Sequence, residues 1–342
     1  LGSITPGHPE YSLTPGVETT TGPLGQGLSN AIGMAISEQI LSSKLGNKII
    51  DHYTFAVVGD GCLMEGISHE ASSLAGHLKL SKLIVFFDNN NISIDGSVDL
   101  TNSEDTLKRY ESLGWQTIEI DGHDPKEIDS AIIEAKNDNR PSLISCKTII
   151  GYGSPNMQNT SGVHGSPLGE KETELARKEL NWPNSPFIIP DEILKVWRSR
   201  GKEGSQAFSK WKEKYDNLSL ASQKFLDKEI DFELPDLNER INEYKEKSSS
   251  NKLSVASRKA SQEILEILVP AIPNLIGGSA DITGSNNTKI SSMKAITKDS
   301  FEGNYLHYGV REHAMAGIMN GIALHGNLIP YGGTFLVFSD YL

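Results

Sequence analysis

Two short segments hold the residue types that grip a hard cation. Asp60 stands in Gly59-Asp60-Gly61, directly after the apolar run Phe55-Ala56-Val57-Val58. One strand–helix–strand unit later, about thirty residues, Asp88-Asn89-Asn90-Asn91-Ile92 directly follows a second apolar run, Leu83-Ile84-Val85-Phe86-Phe87. The Asp60 carboxylate, the Asn90 amide oxygen and the Ile92 carbonyl are oxygen donors suited to Mg²⁺ or Ca²⁺. Phosphate oxygens and water would complete the shell. The flanking glycines allow tight turns and close approach of backbone to a bulky anion. A third segment, Gly22-Pro23-Leu24-Gly25-Gln26-Gly27, feeds a helical pattern from Leu28 onward. Free N–H groups and the helix dipole favour an anion there. Its spacing fits neither GxGxxG nor a Walker loop, so a nucleotide is not expected. A Gly-Asp-Gly turn alone often just ends a strand. Its pairing with an Asn-rich strand end at this distance is what makes the signal specific.

The elements that must position these residues are also legible. The runs 55–58, 83–87 and 143–150 are short and continuously apolar, as in parallel strands buried on both faces. Helical patterns cover 27–45, 65–78 and 125–136, and strands alternating with helices predict a parallel α/β sheet. Adjacent parallel strands would bring Asp60 and Asn90 together at the carboxyl edge, where such sheets bind ligands. From about residue 170 to 250 charges become dense. Pro183, Pro186, Pro190 and Pro235 punctuate the chain, and Trp197, Phe208, Trp211 and Tyr215 suggest amphipathic helices. Ser248-Ser249-Ser250-Asn251 reads as a break, with a boundary near Lys252. A helix over 257–268 and a strand at 275–278 then resume the alternation. The expected division is 1–195, a helical or irregular linker at 196–251, and the start of a second, similar α/β domain at 252–342.

Composition narrows the class. The 342 residues carry a formal net charge of −12, with 37% hydrophobic and 22% charged side chains. That balance suits a globular protein and argues against a nucleic-acid footprint, which needs a basic face. Cys62 and Cys146 are far apart and form no CxxC pair, as in a reducing compartment. No apolar run approaches the ~20 residues of a membrane span. The first residues show no basic, apolar leader, so a cytoplasmic address is expected. The turn-rich start without methionine and the apolar end Phe338-Ser339-Asp340-Tyr341-Leu342 predict a chain truncated at both ends.

Several blocks together resemble transketolase. They are Pro6-Gly7-His8-Pro9-Glu10, Glu18-Thr19-Thr20-Thr21-Gly22-Pro23-Leu24-Gly25-Gln26-Gly27 and Gly59-Asp60-Gly61-Cys62-Leu63-Met64-Glu65-Gly66. Gly278-Ser279-Ala280-Asp281, Arg311-Glu312-His313-Ala314-Met315 and Gly332-Gly333-Thr334-Phe335 follow in the family's order. The resemblance covers nearly the whole chain and is loosest in the linker. It implies the thiamine diphosphate-binding fold, in which a diphosphate domain is followed by the first part of a pyrimidine-binding domain. The implied cofactors are thiamine diphosphate and Mg²⁺, with Ca²⁺ or Mn²⁺ as substitutes. Also implied are sugar-phosphate substrates and a homodimer whose active site lies between subunits.

The same resemblance implies residue roles. Asp60, Asn90 and Ile92 would hold the metal, and Gly61 and Asn90 would touch the diphosphate. Gly22 and Leu24 would contact the cofactor, Ile94 and Ile150 would pack against it, and Glu65 would lie beside it near the dimer interface. Glu312 would hydrogen-bond the pyrimidine nitrogen, a place for a carboxyl group because it can share a proton there. Phe338 would stack near that ring, with Phe335, Tyr341 and Asp281 close to the cofactor. His8 and His164 would face the reacting end of the substrate, His164 also meeting the cofactor. Arg258 and Ser285 would bind a sugar phosphate. His313 and the histidines at 52, 69, 77, 123, 307 and 325 are expected to be structural or exposed.

The implied activity is transfer of a two-carbon ketol unit from a ketose phosphate to an aldose phosphate, as in pentose phosphate or Calvin-type rearrangements. A dihydroxyacetone synthase-like enzyme and a non-catalytic transketolase-like interaction protein are the alternatives. The run Thr19-Thr20-Thr21-Gly22-Pro23-Leu24-Gly25 speaks against 1-deoxyxylulose-phosphate synthase and the 2-oxo acid dehydrogenase first component. Earlier histidines and later sugar-phosphate residues of the family fall outside this chain, which by itself would then be inactive.

Overall fold

The computed structural model describes residues 3–227 and 235–342. The first half runs α1 (Gln26–Leu45), β1 (Thr54–Gly59), α2 (Asp60–Met64), α3 (Gly66–Leu78), β2 (Leu83–Asn89) and α4 (Thr106–Ser112). It continues with β3 (Gln116–Asp121), α5 (Pro125–Lys136) and β4 (Ser142–Lys147). The four strands form a parallel sheet ordered β1-β2-β4-β3. Gly59 lies opposite Asp88, and Asn89 opposite Lys147, so the three carboxyl ends are level.

Local chemistry explains most boundaries. α1 stops at Gly46, whose φ of 86° is costly for other residues, and the Gly46 N–H caps Ser42. α5 begins with Asp124 accepting from the Lys126 N–H and with Pro125 in the first turn. β3 escaped sequence reading because its half-exposed alternation, Thr117 to Ile120, offers no continuous apolar run. Trp115, just before it, is fully buried. Its indole N–H donates to the Ser72 carbonyl at 2.9 Å, and Tyr110 packs edge-on against it. β4 ends at Lys147, short of the apolar run to 150. There the Ile149 N–H turns to the His123 ring at 3.0 Å and the Thr148 hydroxyl turns to Asp88.

Four helices follow: α6 (Gly169–Glu179), α7 (Asp191–Asp216), α8 (Leu220–Leu226) and α9 (Pro235–Ser250). α6 and the start of α7 fall within the expected first domain, while the rest of α7, α8 and α9 occupy most of the expected linker, of which residues 228–234 lie outside the described residues. Phe208, Trp211 and Tyr215 stack in succession on α7, and the Trp211 indole donates to the Ile49 carbonyl at 2.9 Å. Trp197, on the same helix, is exposed. The second unit comprises α10 (Ser257–Ala271), β5 (Leu275–Ser279), α11 (Thr283–Asn286), β6 (Tyr305–His307), α12 (Glu312–His325) and β7 (Ile329–Gly333). Its three parallel strands are ordered β6-β5-β7. Among the described residues no helix is long and apolar enough to cross a membrane.

The two units share one core, which runs from Leu28, Ile32 and Ile36 on α1 to Ile318 and Ile322 on α12. These helices meet backbone to backbone. A Cβ on Gly33 would stand 2.1 Å from the Ile318 carbonyl oxygen, and one on Gly321 would stand 2.0 Å from that of Asn30. Polar ties reinforce the junction. Glu70 on α3 accepts the Ala314 N–H at 2.9 Å, capping α12, and Arg311 donates to Ser73 at 3.1 Å.

This crossing gives a direct test. Alanine is the better helix former by about 1 kcal/mol, yet at Gly33 or Gly321 its methyl would meet backbone that cannot rotate away. Gly33→Ala and Gly321→Ala are expected to destabilise the chain by about 1–3 kcal/mol or more in denaturant titrations. Gly204 on α7 meets nothing within 4 Å, so Gly204→Ala should be neutral or stabilising by up to about 1 kcal/mol. Equal effects at the three positions would refute the close crossing.

Candidate functional site

The carboxyl edge of β1 and β2 gathers the first group of residues. Asp60 opens α2 immediately after β1. Its Oδ2 is buried and has no hydrogen-bond partner. Burial, reinforced by the charge of Asp88 and opposed by backbone N–H groups, pushes the Asp60 carboxyl up to about 6. Asn90 lies just beyond β2, where its Oδ1 accepts the Ile92 N–H at 3.0 Å and its amide donates to Asp88 at 3.3 Å. One lone pair of that oxygen remains for another partner. Asn91 takes a left-handed φ of 59° and turns the chain into a short loop. Ile92 bridges Ser97 across this loop, and Ile94 on it is 75% exposed. A cavity of ≈310 Å³ opens beside Asp60, lined also by Asn91, Asp99, Glu104 and Glu119.

The glycine-rich segment closes on the same edge. A Leu24 methyl lies 3.1 Å from where a side chain on Gly61 would begin, and the His8 ring lies 3.6 Å from the equivalent point on Gly22. Gly25 has φ of 81°, and any side chain there would strike Ile67 and Glu65 at 2.6 and 2.9 Å. His8, Gly22, Leu24, Gly61 and Glu65 are thus neighbours in space. A cavity of ≈490 Å³ runs along this segment, bordered by Thr19, Thr21, Leu24, Gly25 and Cys62. Ile150 and His164 sit on the loop after β4, which folds back so that Val163 packs on Gly151. His164 itself is exposed.

The remaining residues belong to the second unit. Glu312 starts α12 and accepts from the Thr334 hydroxyl at 3.3 Å. Phe335, Phe338 and Tyr341 make an aromatic ladder with centroids 6.1 and 6.2 Å apart. Asp281, after β5, holds a left-handed φ of 64°, an uncommon state for a non-glycine residue. Ser285 lies on α11, and Arg258 is exposed in the first turn of α10. Among the described residues, no hydrogen bond or ion pair links Glu312, Asp281, Ser285 or Arg258 to Asp60 or Asn90. Sequence reasoning gave no role to Asp88, which touches Asn90 and Thr148, although its place in the Asn-rich strand end was a signal. Glu70 carried no local signal, because its partner is in the other unit.

The donor set fits a hard cation beside an anion. A buried carboxylate oxygen without a partner, an amide oxygen with a free lone pair and an approachable glycine turn converge there. Because the fold raises Asp60, its ionisation opposes folding. The contribution favours the native state below the ordinary carboxyl range and is lost as pH rises through about 6. Asp60→Asn keeps the shape and removes the charge. Discounted for partial solvent access to about 1 kcal/mol, the gain should raise the metal-free melting temperature at pH 8 by about 1–2 °C. It should shrink as pH falls through about 6 and vanish only below the ordinary carboxyl range, near about pH 3. A variant no more stable at pH 8 would contradict the burial penalty.

Comparison with known proteins agrees with this geometry. Residues 1–235 match the family model for the transketolase thiamine diphosphate binding domain, and residues 254–342 match that for the transketolase pyrimidine binding domain. The transketolase of Sinorhizobium medicae is 48% identical over 344 residues, spanning 100% of this chain and 49% of its own length. Transketolase 2 of Vibrio parahaemolyticus is 49% identical, with 100% and 52% covered. Among solved structures, transketolase from Leishmania mexicana superposes with a TM-score of 0.89 at 42% identity, covering 99% of this chain and 52% of that one. The Campylobacter jejuni enzyme gives 0.88 at 38% identity, covering 100% and 52%. The chain therefore spans about half the length of the relatives it matches. With both units matched in order and the fold reproduced across their junction, the chain belongs to the transketolase family.

Proposed function

We propose that this chain forms the diphosphate- and metal-binding part, and the opening of the pyrimidine-binding part, of a transketolase. The reaction is reversible transfer of a two-carbon ketol unit from a ketose phosphate to an aldose phosphate. The carrying observation is the partnerless Asp60 oxygen at the sheet edge, flanked by Asn90 and by Gly61, against which Leu24 of the glycine-rich segment closes. Structural relatives from Pichia stipitis were solved with sedoheptulose 7-phosphate, xylulose 5-phosphate and fructose 6-phosphate, three ketose phosphates. That supports the same substrate class here. The division at 195 and 251 belongs to this reading, as do a cytoplasmic address and a homodimer.

Thiamine diphosphate, when bound, supplies the electron sink for breaking a carbon–carbon bond beside a carbonyl. Everything else is work for this chain. Asp60, Asn90 and the Ile92 carbonyl would hold Mg²⁺, with Ca²⁺ or Mn²⁺ able to substitute. Gly22, Leu24 and Gly61 would let the diphosphate approach backbone, while Glu65, Ile94 and Ile150 border the ring system. Glu312 would hold a proton at the pyrimidine nitrogen, with Phe335, Phe338, Tyr341 and Asp281 close to the cofactor. In the proposed homodimer, Glu312 of one copy would work with the Asp60 edge of the other. His8 and His164 would move protons at the substrate's reacting oxygens, and Arg258 and Ser285 would bind its phosphate.

The first test is calorimetric titration with thiamine diphosphate and Mg²⁺. Saturable binding is expected that disappears on chelation of the metal and in Asp60→Ala. In the intact protein, Glu312→Gln should lower ketol transfer by about 10²–10⁴-fold while leaving metal-dependent binding measurable. Silence of the intact protein in the titration would end the proposal.

A further inference from the structure

The loop that bears Ile150 and His164 is anchored by residues that neither the motifs nor the site chemistry call on. Residues 149–164 leave β4 and close on themselves. The Asn159 N–H donates to the Ile150 carbonyl at 2.9 Å, and the Val163 methyls stand 3.0 Å from where a side chain on Gly151 would begin. Within the loop, Ser154 donates to the Gly151 carbonyl, Gln158 to the Ser154 carbonyl, and the Gly153 N–H to the Gln158 side chain at 3.2 Å. These bonds make the loop a unit but do not attach it to the sheet.

Contacts from three other places attach it. His123, between β3 and α5, accepts the Ile149 N–H at 3.0 Å and stacks on Tyr152 with centroids 4.2 Å apart. Leu180 fills the space beside Gly153, leaving 2.6 Å for any side chain there. The crest of the loop is held by Glu172 in the first turn of α6, which is only 9% exposed. One of its oxygens accepts from the Ser154 hydroxyl at 2.6 Å and from the Asn156 N–H at 2.9 Å; the other accepts the Asn156 amide at 2.9 Å. Three donors converge on a group that offers only acceptors, a match for a carboxylate and not for an amide. The same bonds, that from Ser154 foremost, hold the Glu172 carboxyl below the usual range.

We infer that Glu172 is a positioning residue that fixes the loop crest on α6 and thereby sets the places of Ile150 and His164. The inference rests on the ketol-transfer reading, in which Ile150 borders the cofactor and His164 meets the substrate. A displacement of about 1 Å in such groups can cost on the order of 10²-fold in rate. Glu172→Gln keeps one acceptor oxygen but turns an N–H₂ toward the Asn156 amide. Asn156 can flip to present its own oxygen, so this variant rescues part of the network.

Two measurements decide the matter. In the intact protein, Glu172→Ala should lower kcat/KM for a ketose phosphate about tenfold or more, and Glu172→Gln about two- to threefold. Placed on a His164→Ala background, Glu172→Ala should cost less than about twofold, because residues acting through one another are not additive. Hydrogen exchange on this chain without ligands should accelerate about tenfold or more at Gly153, Asn156 and Asn159 in Glu172→Ala, with β1 and β2 unchanged. Unchanged exchange overturns the anchoring whatever the activity does. Fully additive losses overturn the route through His164. If His164→Ala kept full activity, the reading of His164 would fall, and the exchange data would still decide whether Glu172 holds the loop.

Discussion

The contact on which the rest depends is the backbone-to-backbone crossing of α1 and α12. Gly33 and Gly321 let each helix approach the carbonyls of the other. Both helices start at the site: α1 at the glycine-rich turn, α12 at Glu312. Close to those starts the Gln26 side chain meets the His313 ring at 3.0 Å. The crossing therefore fixes the distance between the two groups of functional residues within one chain. Hydrophobic burial alone would not, since it is non-directional and tolerates sliding. The steric demand of backbone on backbone does not tolerate it.

Around that fixed frame the fold sets charges deliberately against their solvation. Glu38 on α1 is completely buried, but Lys82 at 2.6 Å compensates it. Burial raises its carboxyl while the lysine holds it down. Asp60 has no such cation, and its nearest charge, Asp88, is of the same sign. The two carboxylates show the difference between a structural ion pair and a site poised for an external partner. Burial of an unpaired charge is tolerated where binding gives a return.

Much of this was readable from the chain alone, and the boundary of what was readable is physical. β2 is buried on both faces, so its apolar run announces it. β1 shows an equal run, but it is an edge strand whose Phe55 and Val57 face outward, so the expected burial on both faces holds for β2 and not for β1. The strand-end placement of Asp60 and Asn90 follows from one strand–helix–strand spacing. β3 stayed hidden because Gln116-Thr117-Ile118-Glu119-Ile120-Asp121 interleaves polar residues and offers no continuous apolar run. Glu70 and Glu172 stayed hidden for another reason. Each is a surface-type residue on a helical pattern, and its partners, Ala314 and the loop at 154–156, are fixed only by tertiary packing. Gly25, Gly33 and Gly321 were visible as glycines, but what each must admit lies on another element.

The placement of the tryptophans has a consequence for spectroscopy. All four, Trp115, Trp182, Trp197 and Trp211, precede α9, and residues 254–342 contain none. Trp115 sits in the sealed core of the first sheet, Trp211 bonds to Ile49, and Trp197 faces solvent. Tryptophan fluorescence, excited apart from the tyrosines at 305, 308, 331 and 341, thus reports the first unit and the helices after it and carries no reporter in the second sheet. A fluorescence transition that lags the loss of backbone ellipticity would mean that the second unit opens first. Coincident transitions would mean that the helix crossing melts both units as one.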